Sequence, residues 1–124
     1  MRKTIATAKA PAAIGPYSQG VELNGTVYVS GTLPVNPADG TMPAGIELQT
    51  RQAMDNIGAI LNEAGLTFND IVKTTVLLAD LKDFAAMNAV YAEYFPQNKP
   101  ARACFQVAAV PKGALLEIEA IAGK

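Results

Sequence analysis

The chain has 124 residues, the usual size of one folded domain, and we expect residues 1–124 to form a single domain. Hydrophobic residues make up 50% of the sequence and charged residues 17%, a balance that excludes disorder and leaves apolar surface for another subunit. The 10 basic and 11 acidic residues give a net charge of −1, which argues against nucleic acid as a partner.

The residue types present also limit the chemistry. Cys104 is the single cysteine and the sequence has no histidine, which excludes an internal disulfide, a conventional zinc site and histidine acid–base catalysis. The basic start is not followed by an apolar run of signal-peptide length, and no segment reaches the roughly 18 apolar residues of a membrane span. We therefore expect a cytoplasmic protein with no membrane partner.

A β-hairpin is predicted around the dipeptide Asn24–Gly25. This dipeptide separates two runs rich in Val and Tyr, and both of its residues tolerate the positive φ of a two-residue turn. Because both faces of the hairpin carry apolar residues, one face is expected to need a second layer from a neighbouring copy. The turn predicts four facing pairs: Leu23 with Thr26, Val21 with Tyr28, Gln19 with Ser30, and Tyr17 with Thr32.

Two helices and a central strand follow in the sequence. Segments 46–65 and 83–95 repeat apolar residues at helical spacing, and Asn88 lies on the apolar stripe of the second. Segment 69–81 is β-branched and apolar on both faces, which is typical of a central strand. With two more strands at the end, the order of elements predicts an α+β fold: a mixed sheet with two helices packed on one face.

The last two predicted strands, 100–110 and 114–122, carry the charged residues of greatest interest. Alternation places Arg102, Cys104 and Gln106 on one face of the first strand. If the two strands pair as a hairpin, Cys104 lies across the ladder from the region of Glu117, and the arginine and an acid converge on one spot. A shift of one residue in the pairing would remove this convergence.

The chain resembles the reactive intermediate deaminase (RidA/YjgF) family in five segments that span nearly its whole length: APAAIGPYSQGV, VYVSG, RQAMDNI, DIVKTTV and PARACFQVAAVPKGALLEIEAIA. The last segment is the most specific. The resemblance implies a chorismate-mutase-like fold, a homotrimer with a central barrel, and clefts between subunits that hydrolyse 2-imino acids to 2-oxo acids and ammonia. It also implies that PLP-dependent threonine and serine dehydratases release these imines. Since imines hydrolyse in water unaided, no cofactor is required.

Arg102 is the candidate anchor for the substrate. The substrates that the resemblance implies, 2-iminobutanoate and 2-iminopropanoate, carry a carboxylate, which a guanidinium binds with two parallel charge-assisted hydrogen bonds. From the residues alone, a structural ion pair with Glu117 or Glu119 is as good an explanation, as is an edge arginine whose charged head lies in water. The resemblance favours the anchor.

Glu117 is the candidate acid and base. Imine hydrolysis needs a group that takes a proton from water and delivers one to nitrogen, and partial burial raises the pKa of a carboxyl towards the useful range. The resemblance favours Glu117 over Glu119, which it leaves as a solvated or interface charge. Tyr17 is expected to orient substrate or water through its hydroxyl, and simple packing of its ring is the alternative.

The resemblance implies four further substrate-binding residues. Ser30 and Gly31 would line the cleft, although a plain strand exit is the alternative. Asn88 would lie near the cleft and come from the neighbouring subunit, unless it is a structural cap. Cys104 would contribute its backbone, and its thiol would be dispensable because no histidine activates it. The chain departs from many relatives at Thr32, where they carry Gln, and this bears on substrate range and not on class.

Two other functions remain open from the sequence. A non-catalytic module that binds small carboxylates between subunits would use Arg102 but would not need Glu117. Ribonuclease or chaperone activity, known in some members of the family, is the weaker possibility, because the chain has no basic face for RNA and no histidine.

Overall fold

A computed structural model describes all residues, 1–124, and shows one mixed six-stranded sheet with two α-helices. The predicted α+β fold and the order of its elements are confirmed, and one short N-terminal strand is additional. Neither helix is long and apolar enough to cross a membrane. The elements are β1 (Lys3–Ile5), β2 (Gly20–Leu23), β3 (Thr26–Thr32), α1 (Ile46–Glu63), β4 (Ile71–Leu78), α2 (Phe84–Ala92), β5 (Ala101–Gln106) and β6 (Leu116–Gly123).

The strands lie in the order β1-β2-β3-β6-β4-β5. Neighbouring strands are antiparallel except for β4 and β5, which are parallel. The last strand of the chain, β6, therefore lies in the middle of the sheet, and β5 forms one edge. Strands β5 and β6 do not pair, because β4 lies between them.

The β2–β3 hairpin forms around Asn24–Gly25, where both residues have positive φ. The two predicted pairs beside the turn are present. The Ser30 backbone N–H donates to the Gln19 carbonyl oxygen at 3.0 Å, which continues the hairpin by one step. The outermost predicted pair is wrong, because β2 begins at Gly20 and Tyr17 lies in the preceding loop.

The core lies between the helices and one face of the sheet. Helix α1 buries the predicted stripe of Ala53, Ile57 and Leu61 completely, and Gly65 follows its end with a φ of 77°. Each fully buried large aliphatic side chain contributes roughly 1.5–3 kcal/mol to folding. Helix α2 ends at Ala92, earlier than predicted, because the next residues form tighter i to i−3 hydrogen bonds.

The other face of the sheet has no layer of its own. Leu23, Tyr28 and Phe105 point away from the helices and are 44%, 48% and 48% exposed. They spread over three strands, so the apolar area extends across the sheet. This uncovered face matches the expectation that one side of the hairpin needs a second layer.

Candidate active site

A cavity of about 800 Å³ opens where β3 and β6 meet the loops around them. Its wall includes four of the predicted site residues: Tyr17, Ser30, Gly31 and Glu117. Glu119 and Thr32 also line it. The structure therefore brings together the candidate acid, the candidate orienting tyrosine and the Ser-Gly pair.

Glu117 enters this cavity because of its place on β6. Its neighbours Leu116 and Ile118 are fully buried against the helices, so alternation directs the Glu117 side chain to the opposite face. Burial raises the pKa of the Glu117 carboxyl, and the nearby charge of Glu119 raises it further. A carboxyl of this kind holds its proton more readily than a solvated one, as a general acid and base requires.

Gly31 makes room for the Glu117 carboxyl. A bulge in β3 between Val29 and Thr32 breaks the alternation and turns Gly31 towards β6. A Cβ atom at Gly31 would lie 2.9 Å from both Cδ and Oε2 of Glu117, closer than side chains tolerate. Only glycine therefore leaves the carboxyl in its present position.

Two polar side chains hold the strand ends and loops of the cavity wall. The Ser30 hydroxyl donates to the Ser18 carbonyl oxygen and joins the loop before β2 to β3. The buried Gln19 amide accepts from the Thr7 backbone N–H at 2.7 Å and donates to the Pro11 carbonyl oxygen at 2.7 Å. These bonds fix the segment that leads to Tyr17, whose side chain is 52% exposed at the cavity.

A second group of predicted site residues lies elsewhere, at the β5 edge of the sheet. Arg102 and Cys104 of β5 point towards the helix side, and the Arg102 Nη1 donates to the Asn88 Oδ1 of α2 at 2.7 Å. The Arg102 guanidinium carbon lies 4.9 Å from the ring centre of Tyr91 and 5.5 Å from that of Phe84. Arg102 is thus held by one helix face.

The expected hairpin between the last two strands is wrong, and the convergence of Arg102 and Glu117 within one chain is wrong with it. In β4, Thr74 pairs with Arg102 on one side, whereas Leu77 pairs with Glu117 on the other. Thr74 is buried under the helices and Leu77 faces away from them, so the two charged side chains lie on opposite faces. The same insertion of β4 separates Cys104 from β6.

The alternative of a structural ion pair for Arg102 is also ruled out within the chain. The two ion pairs present join Arg51 with Glu93 and Lys82 with Asp80. Arg102 instead has a neutral amide and two aromatic rings around it. Its positive charge is therefore not neutralised by any carboxylate of its own chain.

The thiol of Cys104 does not have the environment of a nucleophile. Burial raises its pKa more than the nearby charge of Arg102 lowers it, so the thiolate is disfavoured. The side chain packs against the core beside α2. The role expected for the Cys104 backbone stays a prediction.

Three further residues at the two groups are not predicted as site residues from the sequence. Phe84 and Tyr91 belong to the apolar stripe of the second predicted helix, and their spacing from Asn88 places all three on one face. Lys112 lines the cavity and has a φ of 61°, which is unusual for a residue other than glycine. The Pro-Lys-Gly sequence gave no signal for this backbone.

Comparison with known proteins connects this geometry to one family. The family model described as Endoribonuclease L-PSP matches residues 7–124. The chain is 56% identical over 123 residues to a goat protein named 2-iminobutanoate/2-iminopropanoate deaminase, covering 98% of this chain and 90% of that protein. It is 54% identical over 125 residues to the protein of the same name from Escherichia coli K12, covering 98% of each.

Solved structures show the same architecture. The crystal structure of Escherichia coli TdcF with bound serine superposes on the chain with a TM-score of 0.95 at 48% sequence identity, over 98% of both chains. The resemblance found in the five sequence segments is thereby confirmed over nearly the full length. The chain belongs to the RidA/YjgF family, whose family model is described as Endoribonuclease L-PSP.

Proposed function

We propose that this protein hydrolyses reactive 2-imino acids and their enamine tautomers to 2-oxo acids and ammonia. The observation that carries the proposal is the Glu117 carboxyl, whose pKa is raised inside a cavity of about 800 Å³. Relatives at 51% to 56% identity that are named 2-iminobutanoate/2-iminopropanoate deaminase support the choice of reaction. The substrate class is small 2-imino carboxylates.

The reaction requires a proton to leave the attacking water and a proton to reach the nitrogen, and Glu117 is proposed to perform both transfers. The ionised carboxylate takes a proton from a water whose oxygen attacks C2 of the protonated imine, C=NH2⁺, and the C=N π electrons move to nitrogen. The carboxyl then gives this proton to the NH2 nitrogen of the resulting carbinolamine. The C–N bond breaks, NH3 leaves, and the hydroxyl proton of the carbinolamine passes to solvent as the C2=O bond forms. The Tyr17 hydroxyl in the same cavity wall is proposed to orient the water.

Arg102 is proposed to bind the substrate carboxylate from a neighbouring protomer. It lies on the opposite face of the sheet from Glu117 in its own chain, so one chain cannot form a complete site. Its charge is unpaired by any acid of its chain, and the uncovered apolar face offers a surface for a second copy. In a closed homotrimer, Arg102, Cys104 and Asn88 of one protomer would meet Tyr17, Ser30, Gly31 and Glu117 of the next.

The proposed supply of substrate follows from the instability of the imine. A free 2-imino acid reacts with water quickly, so the enzyme has a use only where such species are released. Elimination by PLP-dependent threonine and serine dehydratases releases them. The cytoplasmic location of the protein stays a prediction.

The test couples a threonine dehydratase to the purified protein and follows the lifetime of the released 2-iminobutanoate. We expect the wild-type protein to shorten this lifetime and Glu117→Ala to lose about 10²- to 10⁴-fold of the rate. Glu63→Gln, at the exposed end of α1, is the matched control outside the cavity.

Binding of 2-oxobutanoate to the same variants separates the enzyme from a carboxylate-binding module. A Glu117→Ala variant that loses imine turnover but still binds 2-oxobutanoate supports the enzymatic function. An unchanged imine lifetime in the presence of wild-type protein that binds 2-oxobutanoate would leave the non-catalytic module as the function. The description of the family model names an endoribonuclease, but a chain with net charge −1 and no histidine is poorly suited to cleave RNA.

A further inference from the structure

Arg102 is held by three side chains of one helix. Phe84, Asn88 and Tyr91 are spaced by four and three residues on α2, so they project from the same face of the helix. Asn88 accepts a hydrogen bond from the Arg102 Nη1 at 2.7 Å, and both rings lie within 5.5 Å of the guanidinium carbon. We refer to Phe84, Asn88 and Tyr91 as the Arg102 bracket.

The bracket is itself fixed to the sheet beneath it. The Tyr91 hydroxyl lies 2.7 Å from the Thr74 hydroxyl, and both residues are buried. Thr74 is the residue of β4 that pairs with Arg102 in the parallel ladder. A rigid path therefore runs from the β4 backbone through the Tyr91 ring to the guanidinium, and the ring cannot move away without breaking a buried hydrogen bond.

A long, flexible arginine on an edge strand would ordinarily lose most of its rotamer freedom when it binds a ligand. The bracket removes that freedom before the ligand arrives. Because Asn88 is neutral, it orients the guanidinium without neutralising it, whereas a carboxylate at the same place would compete with the substrate. The remaining N–H groups of the planar fork stay available for a carboxylate.

We propose that Phe84, Asn88 and Tyr91 are positioning residues that pre-orient Arg102, and that this orientation sets the affinity of the site for 2-imino and 2-oxo carboxylates. The inference rests on the proposed function for the choice of ligand. It changes the role expected for Asn88: the residue orients Arg102 and does not contact the substrate itself. It also gives the aromatic pair a function beyond packing.

The first test measures Arg102 without any ligand. We expect the side-chain ¹⁵N order parameter of Arg102 Nε to exceed about 0.8 in the wild-type protein and to fall below about 0.6 in Asn88→Ala. Asn62→Ala, at an exposed position of α1, is the matched control and should leave the value unchanged. Equal mobility of Arg102 in wild type and Asn88→Ala would overturn the proposal.

The second test is a double-mutant cycle on the binding of 2-oxobutanoate. We expect Asn88→Ala to weaken binding about tenfold and Phe84→Leu about threefold. In an Arg102→Lys background, Asn88→Ala should change the Kd by less than about twofold, because no oriented fork remains to be lost. A tenfold loss in both backgrounds would show that Asn88 binds the ligand directly and would overturn the positioning role.

Kinetics separate this proposal from the proposed function. Asn88→Ala should raise KM for the imine and leave kcat within about twofold, as expected when binding is lost equally from ground and transition states. If the wild-type protein hydrolyses imines and Asn88→Ala does not change KM, the positioning role of the Arg102 bracket is rejected and the proposed deaminase function stands. If the wild-type protein does not hydrolyse imines and the order parameters and Kd values still change as stated, the bracket stands and the deaminase does not.

Discussion

Glu117 is kept in an environment that opposes its ionisation. Burial is the larger cause of its raised pKa, and the charge of Glu119 is the smaller one. The folded state therefore binds the Glu117 proton more tightly than the unfolded chain does. The contribution to stability is present at pH values below the ordinary pKa of the carboxyl, and it is lost as pH rises through the raised folded pKa.

Glu117→Gln should accordingly make the protein more stable at neutral and alkaline pH, since the amide resembles the protonated carboxyl and cannot ionise. We expect its Tm to exceed the wild-type Tm at about pH 8 and the difference to vanish at about pH 4, where both side chains are neutral. Thermal unfolding at the two pH values measures this. A wild-type protein that is the more stable of the two at pH 8 would contradict the raised pKa.

A substitution at Gly31 tests how strongly activity depends on the position of the Glu117 carboxyl. Gly31→Ala places a Cβ 2.9 Å from Glu117 Cδ and forces the carboxyl to move. We expect kcat to fall about 10- to 100-fold, as small misplacements of a catalytic group commonly do. In a Glu117→Asp background, where the side chain is shorter by a methylene, the added methyl should cost much less. An equal loss in both backgrounds would mean that Gly31 serves another purpose.

The loop after β3, which lines the cavity, is joined to α1 by the buried side-chain amide of Asn56. The Asn56 side chain is 1% exposed and donates to the carbonyl oxygens of Leu33 and Val35 at 3.0 Å and 2.9 Å. Both of these loop residues line the cavity. The helix thus supplies the hydrogen bonds that the loop backbone lacks after leaving β3.

Asn56→Leu should lower the free energy of unfolding by roughly 2 to 4 kcal/mol, because the buried Val35 carbonyl and the partly buried Leu33 carbonyl lose their donor. Urea unfolding measures the change through the shift in midpoint at constant m. Asn62→Leu on the exposed face of the same helix is the control and should change stability by less than about 0.5 kcal/mol. Equal effects of the two substitutions would show that the loop does not depend on Asn56.

Local patterns explain which elements the sequence could predict. The Asn24–Gly25 turn and the stripe of α1 depend on residues close together in the chain, and both form as expected. The partner of β5 depends on tertiary structure. Consecutive strands usually pair with each other, but here β4 is inserted between β5 and β6, and nothing local to residues 107–115 signals that crossover.

The candidate site likewise has features that local patterns predict and features that depend on tertiary structure. Alternation correctly places Arg102 and Cys104 on one face of β5, and it also separates Glu117 from Leu116 and Ile118. Alternation within each strand does not predict whether side chains of two unpaired strands, here β5 and β6, lie on the same face of the sheet. The roles of these side chains came from chemistry and from family resemblance, and only the strand order shows that one chain divides them between two faces.

The proposed site shared between protomers of a trimer predicts how much activity two inactive variants recover when they are mixed. Arg102→Ala removes only the anchor and Glu117→Gln only the acid, so each variant alone should be nearly inactive. When the two are unfolded together, mixed in equal amounts and refolded, some clefts combine the Arg102 of one variant with the Glu117 of the other. For random assembly of a cyclic trimer, about a quarter of the clefts are intact, so about a quarter of wild-type activity should return.

Three controls make this experiment decisive. Refolded samples of each variant alone report residual activity, and refolded wild-type protein reports the yield of the procedure. Light scattering reports the mass of the assembly, for which a trimer of the 13.0 kDa chain is expected. Activity that stays at the level of the single variants in the mixed trimers would show that Arg102 of one protomer and Glu117 of the next do not act in one cleft, because random mixing brings both intact side chains together in about a quarter of such clefts.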